Sequence, residues 1–260
     1  MNQHIIHKPH GFNAGLSVIT GLDEANFQTG IRFSILKLQA GEKYQSSNEL
    51  ERAFLLLTGD LSFNLNNVTG EKKRQNIFDE APTAFHLPKD EKIIFTANSN
   101  CEIAIFETKN NNTFDATVFD EKNTLENEHR GKGKLNNTAY RIVRTIFDKR
   151  NRPKSNLVLG EVINFPGCWS SYPPHHHIQP EIYHYRFTKE QGYGHGELGD
   201  DVFKIRQYDT LKILDEKDHA QVAAPGYGMY YIWAIRHLPN NPYIAPQFTK
   251  EHEWTLYANN

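Results

Sequence analysis

The sequence predicts an all-β protein of two small barrels in tandem, residues 1–125 and 140–260, with few helices. Three observations carry the expectation. Segments of 5 to 8 residues, rich in β-branched and aromatic side chains and bounded by Gly, Pro, Asn or Asp, recur along the whole chain, the pattern of barrels and sandwiches. A weak internal repeat places a β-rich stretch ending at Phe106 in the first half and a comparable one ending at Ile235 in the second. Between them, residues 126–137 are polar and carry Gly131 and Gly133, so they read as a linker.

Taken in order, residues 31–38 place Phe33 and Ile35 on one face of a strand, with Arg32 and Ser34 on the other. Residues 53–57 are a continuous apolar run, and residues 61–65 alternate strictly. Thr58-Gly59-Asp60 reads as the turn between those two, and Leu65-Asn66-Asn67-Val68-Thr69-Gly70 as the next turn. Residues 92–97 and 101–106 complete the first half. In the second, residues 140–146 alternate apolar and basic side chains, and strands are expected over 156–163, 182–187 and 229–235.

Charge and cysteine content narrow the function classes. Twenty-nine basic and 31 acidic residues give a net charge of −2 without a basic stripe, so neither nucleic acid nor an anionic membrane is an expected partner. Lys72-Lys73-Arg74 reads as a solvated turn. Cys101 and Cys168 are too few for a disulfide framework. The N-terminal residues lack an apolar core of signal-peptide length, and no apolar run approaches the ~20 residues of a membrane span. A cytoplasmic enzyme acting on a small molecule is the expectation. Open barrels leave edge strands that are usually covered, so sheet pairing between halves or within a homo-oligomer is admitted.

Chemistry-bearing residues concentrate in Tyr172-Pro173-Pro174-His175-His176-His177-Ile178-Gln179-Pro180-Glu181. On an extended strand His175 and His177 share one face, and His176 points to the other. Three residues ending in proline then return Glu181 to the same place. His219 is the best candidate for a further ligand. Three imidazoles and a carboxylate suit Zn, Mn, Fe or Ni, and leave positions open for water or substrate. The first half has Ile93 or Ile94 where His219 falls, and no histidine over residues 41–50. One half therefore reads as structural and the other as chemical. His195 and His237 read as loop residues exposed to solvent, and His4, His7, His10 and His86 lack ligand spacing.

This constellation resembles the cupin signature, with two histidines and a glutamate in one motif and a third histidine in another. More specifically, it resembles the 5-deoxy-glucuronate isomerases of inositol catabolism, which are bicupins. The resemblance is carried by Gly160-Glu161-Val162, Trp169-Ser170-Ser171-Tyr172-Pro173-Pro174-His175, Glu181-Ile182-Tyr183, Tyr185-Arg186, Gln191-Gly192-Tyr193, His219, Ala224-Pro225-Gly226-Tyr227 and His252-Glu253-Trp254. It implies two cupin barrels, with the metal held by His175, His177, Glu181 and His219 in the second. It also implies the conversion of 5-deoxy-glucuronate to 5-dehydro-2-deoxy-gluconate without a redox cofactor.

In such a reaction the metal binds the carbonyl and adjacent hydroxyl while a base moves a proton between C2 and C1. Tyr183, Tyr185 or a metal-bound hydroxide are the candidates for the proton transfer. The substrate carboxylate needs a cation: Arg186, Lys212 and Arg236 are candidates in that order, although strand alternation turns Arg186 away from the lumen. Two departures from the family bear on substrate. Only Ile178-Gln179-Pro180 separates His177 from Glu181, where the family has a longer acidic insertion. Gly194-His195-Gly196-Glu197-Leu198-Gly199 replaces bulkier residues, so a wider mouth and a flexible loop are expected, with slow turnover or preference for a related uronate. A 4-deoxy-5-keto-uronate isomerase, an Fe(II) dioxygenase and a non-catalytic sugar-binding protein are the alternatives.

Overall fold

The computed structural model describes residues 3–66 and 68–258. Asn67, part of the turn read from the sequence, lies outside them, as do Met1 and Asn2. Strands make up nearly all of the regular structure, as expected from the periodicity. Among the described residues the helices are two 3-10 segments, Leu135–Asn137 and Lys250–Leu256, and no helix is long and apolar enough to cross a membrane.

The chain separates into two compact units. The first comprises Phe12–Leu125 and Ile146–Leu157. In one of its layers the strands run in the order Gly15–Thr20, Arg32–Leu38, Cys101–Thr108, Glu51–Leu65, Thr83–Leu87, Thr117–Phe119. The Glu51–Leu65 strand continues into a second layer, where it pairs with Val68–Arg74 and Ile93–Ala97, and Ile93–Ala97 also pairs with Lys43–Ser46.

Thr58-Gly59-Asp60 is therefore not a turn but lies inside one 15-residue strand. The register shifts between Leu56 and Thr58, and Gly59 has φ +113°, with an added Cβ only 2.6 Å from the Asn100 carbonyl oxygen. A bulge at a glycine bends the strand from one layer to the other without ending it. Lys72-Lys73-Arg74 likewise belongs to a strand, and Arg74 is buried, donating to the carbonyls of Leu56 and Glu80. The interior is apolar: Phe54, Phe63, Phe85 and Phe95 meet edge to face at 4.9–5.3 Å, and Ile93 is buried among them.

The second unit contains Glu126–Thr145, the described residues from Val158 onward, and those up to Gly11. One sheet has the order Ile5–Ile6, Thr210–Ile213, Glu181–Phe187, Met229–Arg236, Leu157–Asn164, Arg141–Phe147, Glu128–Arg130. The other has Asp201–Arg206, Tyr193–Leu198, His219–Ala223, Trp169–His176, Gln247–Phe248. Alternate side chains of the first sheet (Val143, Tyr183, Tyr185, Leu211, Tyr231) pack with Leu198, Ile205 and Ala223 of the second. That apolar and tyrosine-rich lumen is the floor on which the site is built.

Three sequence-based expectations change here. The N-terminal residues belong with the second unit because Ile5–Ile6 pairs with Thr210 and Leu211. Residues 126–137 are not a free linker: Glu128–Arg130 adds an edge strand to Arg141–Phe147. Finally, Gly194-His195-Gly196 is not a loop. It lies in the strand Tyr193–Leu198, paired on both sides. A Cβ at Gly194 would lie 2.4 Å from the Val222 carbonyl oxygen, and one at Gly196 2.7 Å from the Ile205 side chain. Both glycines serve close packing rather than mobility. Gly194→Ala, which meets backbone, is expected to cost about 2 kcal/mol, read as a lower urea midpoint with unchanged slope.

Candidate metal centre

The site forms where the strand Trp169–His176 faces the start of Glu181–Phe187 across the lumen. His175 pairs with His219 on one side and with Phe248 on the other, so the sheet itself brings two of the four ligand candidates together. Glu181 opens its strand opposite Ile213 and Ile235 and is buried. The short link Ile178-Gln179-Pro180 is pinned: His177 Nδ1 hydrogen-bonds the Gln179 carbonyl at 2.8 Å, and Gln179 Nε2 donates to the Asn241 carbonyl at 3.0 Å.

His177, Glu181 and His219 offer ligand atoms within 4.8 Å of one another. His177 Nε2 lies 3.1 Å and His219 Nε2 3.5 Å from Glu181 Oε2. His175 flanks them, its ring set edge-on to His219 at 4.4 Å between centroids and 6.5 Å from His177. His176 turns the other way and hydrogen-bonds Asp218 at 2.7 Å, as strand alternation requires.

The residues fit a divalent ion. In each of His175, His177 and His219, Nδ1 faces a backbone carbonyl, of Pro173, Gln179 and Lys217 respectively. Such contacts fix the ring and direct Nε2 inward. His219 Nε2 is buried and makes no hydrogen bond, a cost that metal ligation removes. Burial, and then the neighbouring imidazoles, hold His175 well below the ordinary histidine range. Burial lowers His219 to about 4, against the opposing pull of Glu181. Both rings are thus neutral, the form that ligates.

Beneath the ligands lies a hydroxyl network. Tyr183, edge-on to His219 at 6.0 Å, has its hydroxyl 3.2 Å from Ser171 Oγ. Tyr231 hydrogen-bonds Ser170 at 2.6 Å. Tyr185 donates to Gln221 Oε1 at 2.6 Å, and Gln221 Nε2 donates to Ser171 at 3.3 Å. Burial pushes Tyr183 and Tyr185 well above the ordinary phenol range, and nearby Glu181 adds to the shift in both.

Of the sequence-predicted residues, His175, His177, Glu181, His219, Tyr183 and Tyr185 come together in this lumen. Arg186 does not. Its guanidinium contacts His184, donates to the Tyr185 carbonyl at 3.0 Å and covers the Tyr208 ring at 4.5 Å. The lumen phase of its strand is set by Tyr183, Tyr185 and Phe187, and Arg186 is out of phase with them. Lys212 lies between the lumen residues Leu211 and Ile213, and Arg236 continues the phase of Tyr230 rather than Tyr231. His237, read as an exposed loop residue, is buried and accepts the Tyr243 N–H at 2.9 Å. Tyr243 in turn packs on His177 at 4.9 Å and Phe248 on His175 at 6.0 Å. Sequence reasoning missed both because nothing in their spacing ties this irregular segment to the site.

The match to known proteins is of the same extent as the fold. The model of the KduI/IolB family matches residues 5–255. A 5-deoxy-glucuronate isomerase of Bacillus licheniformis is 25% identical over 277 residues, covering 97% of this chain and 98% of that protein. One of Lacticaseibacillus casei is 26% identical over 239 residues, covering 81% and 86%. Among solved structures, an IolB-like protein of Salmonella typhimurium superposes with TM-score 0.82 at 22% identity, covering 94% of this chain and 96% of that one. The oxalate decarboxylase of Lactobacillus farciminis, at 9% identity, shares the fold with TM-score 0.70, covering 96% and 90%. The chain thus belongs to the KduI/IolB family, an isomerase on a tandem cupin fold.

Proposed function

We propose that this chain is a metal-dependent aldose–ketose isomerase that converts 5-deoxy-glucuronate to 5-dehydro-2-deoxy-gluconate. The observation that carries the reading is the buried cluster of His177, Glu181 and His219, in which His219 Nε2 makes no hydrogen bond. The names of the curated relatives point the same way. His177, Glu181 and His219, with His175 beside them, would hold the ion. When bound there, a divalent ion would supply Lewis-acid stabilisation of the negative charge that develops on the sugar oxygens.

The protein's own groups orient the sugar and carry the proton. Tyr183 is protonated at rest, so its hydroxyl donates to substrate oxygen, and Ser171 at 3.2 Å can return a proton to it. Tyr185, already committed to Gln221, holds the network in place. The packed strand at residues 193–198 takes away the flexible loop, one of the two grounds for expecting a different sugar acid.

The test is to strip the protein of metal, reload it separately with Mn, Zn, Ni and Fe(II), and supply 5-deoxy-glucuronate, glucuronate or 4-deoxy-5-keto-uronate. Proton NMR is expected to show the ketone growing fastest from 5-deoxy-glucuronate, without oxygen uptake. Oxygen consumption, or binding without turnover of any acid, would contradict the reading.

A further inference from the structure

The cations first considered for the substrate carboxylate, Arg186, Lys212 and Arg236, all lie out of phase with the lumen. Arg141 is in phase. It stands two residues before Val143, whose side chain joins Tyr183, Tyr185 and Tyr231 in the interior cluster, and alternate residues of a strand share a face. Arg144, on the opposite face, is bound to Glu161 at 3.0 Å. Arg141 is buried, and its guanidinium donates to the carbonyls of Ala139 and Tyr172, each at 2.8 Å. Tyr172 lies on the strand that carries His175.

These two bonds fix the plane of the guanidinium and occupy two of its five N–H donors. Among the described residues no carboxylate pairs with it. The charges of Glu128 and Arg130 reach it with opposite sign, but a buried guanidinium with no carboxylate in contact is costly, and carbonyl dipoles only partly offset it. Arg141 is an electrostatic neighbour of the site, close enough for its charge to bear on Tyr231, Tyr183 and His175. The neighbouring tyrosines do not neutralise it, because burial keeps them protonated.

We infer that Arg141 is the anion subsite of the lumen, and that it binds the carboxylate of the sugar acid while the reacting end of the sugar lies at the His177–Glu181–His219 cluster. The inference rests on the isomerase reading for the identity of the sugar, but the anion subsite stands on its own geometry. A guanidinium held flat by backbone carbonyls presents its remaining donors as a fork matched to a carboxylate. It discriminates an acid from the corresponding amide, which a metal ligand set alone reads less strictly.

The experiment uses the full metal-loaded chain and two probes, D-glucuronate and D-glucuronamide, with affinity measured by calorimetry. The wild type is expected to prefer the acid by about 10- to 100-fold. Arg141→Gln should lose that preference with bound metal, measured by elemental analysis, unchanged. Arg141→Lys, which keeps the charge but not the fork, should fall between them, and it carries the test should Arg141→Gln fail to fold. In turnover, KM for the acid should rise by a similar factor in Arg141→Gln, and kcat less. A preference for the acid that persists in Arg141→Gln or is undiminished in Arg141→Lys, or its absence in the wild type, would overturn the inference. Acid preference through Arg141 without isomerisation of any sugar acid would sink the isomerase reading and leave the subsite standing. Isomerisation indifferent to Arg141→Gln would do the reverse.

Discussion

His177→Ala and Glu181→Gln are each expected to lower kcat/KM by about 10³-fold or more, together with loss of bound metal. Even groups that only orient a metal ligand are commonly worth 10- to 100-fold, and these side chains are the ones whose ligand atoms converge. Glu181→Gln keeps the shape but removes the negative charge 3.1 Å from His177 and 3.5 Å from His219. His219→Ala should match them, and His175→Ala should weaken the metal as well. His176→Ala is the internal control. Its ring faces Asp218 across a partly exposed pair, and such pairs contribute little, so activity should change by less than about threefold. Elemental analysis beside steady-state kinetics checks all five variants. Metal lost from His176→Ala but kept by His177→Ala would mean that the ligating face of this strand has been assigned backwards.

Tyr183→Phe is expected to lower kcat by about 10²-fold or more, the usual contribution of a positioned proton-transfer group, while the metal stays bound. Tyr185→Phe should act differently. Its hydroxyl is spent on Gln221, so its loss leaves a buried amide oxygen unsatisfied and costs about 1–3 kcal/mol of stability, with a smaller effect on kcat. Denaturant melts and single-turnover rates on the two variants separate these roles. Equal kcat losses with equal destabilisation would reduce Tyr183 to a packing residue.

Much of the site was legible because its signals are local. Two histidines at strand spacing and a glutamate returned by a short, proline-ended link need no knowledge of topology, and alternation alone placed His176 outside. Arg186 shows the same rule: the phase that turned it from the lumen is the phase observed. Arg141 is hidden in the sequence although its strand is legible there. Alternation in residues 140–146 separates two faces, but which face is inward depends on how Val143 meets Tyr183 and Tyr231 from strands far along the chain.

Glycine misled twice for one reason. Gly59 and the Gly194/Gly196 pair read as chain breakers in the sequence, yet each sits within a strand where another group approaches too closely for a Cβ. Sequence reports the lack of a side chain but not whether space or curvature demands it. The two-residue strand Ile5–Ile6 is too short for any periodicity, and only its pairing with Thr210–Ile213 reveals where it belongs.

The central claim, that one divalent ion on these second-barrel residues carries the isomerisation, is tested most directly by titrating metal-free protein with Mn(II) while following ketone formation from 5-deoxy-glucuronate by proton NMR. Activity should rise linearly and break at one ion per chain, and Glu181→Gln should show neither the rise nor the break. Full turnover by the chelator-treated protein before any metal is added would contradict the account.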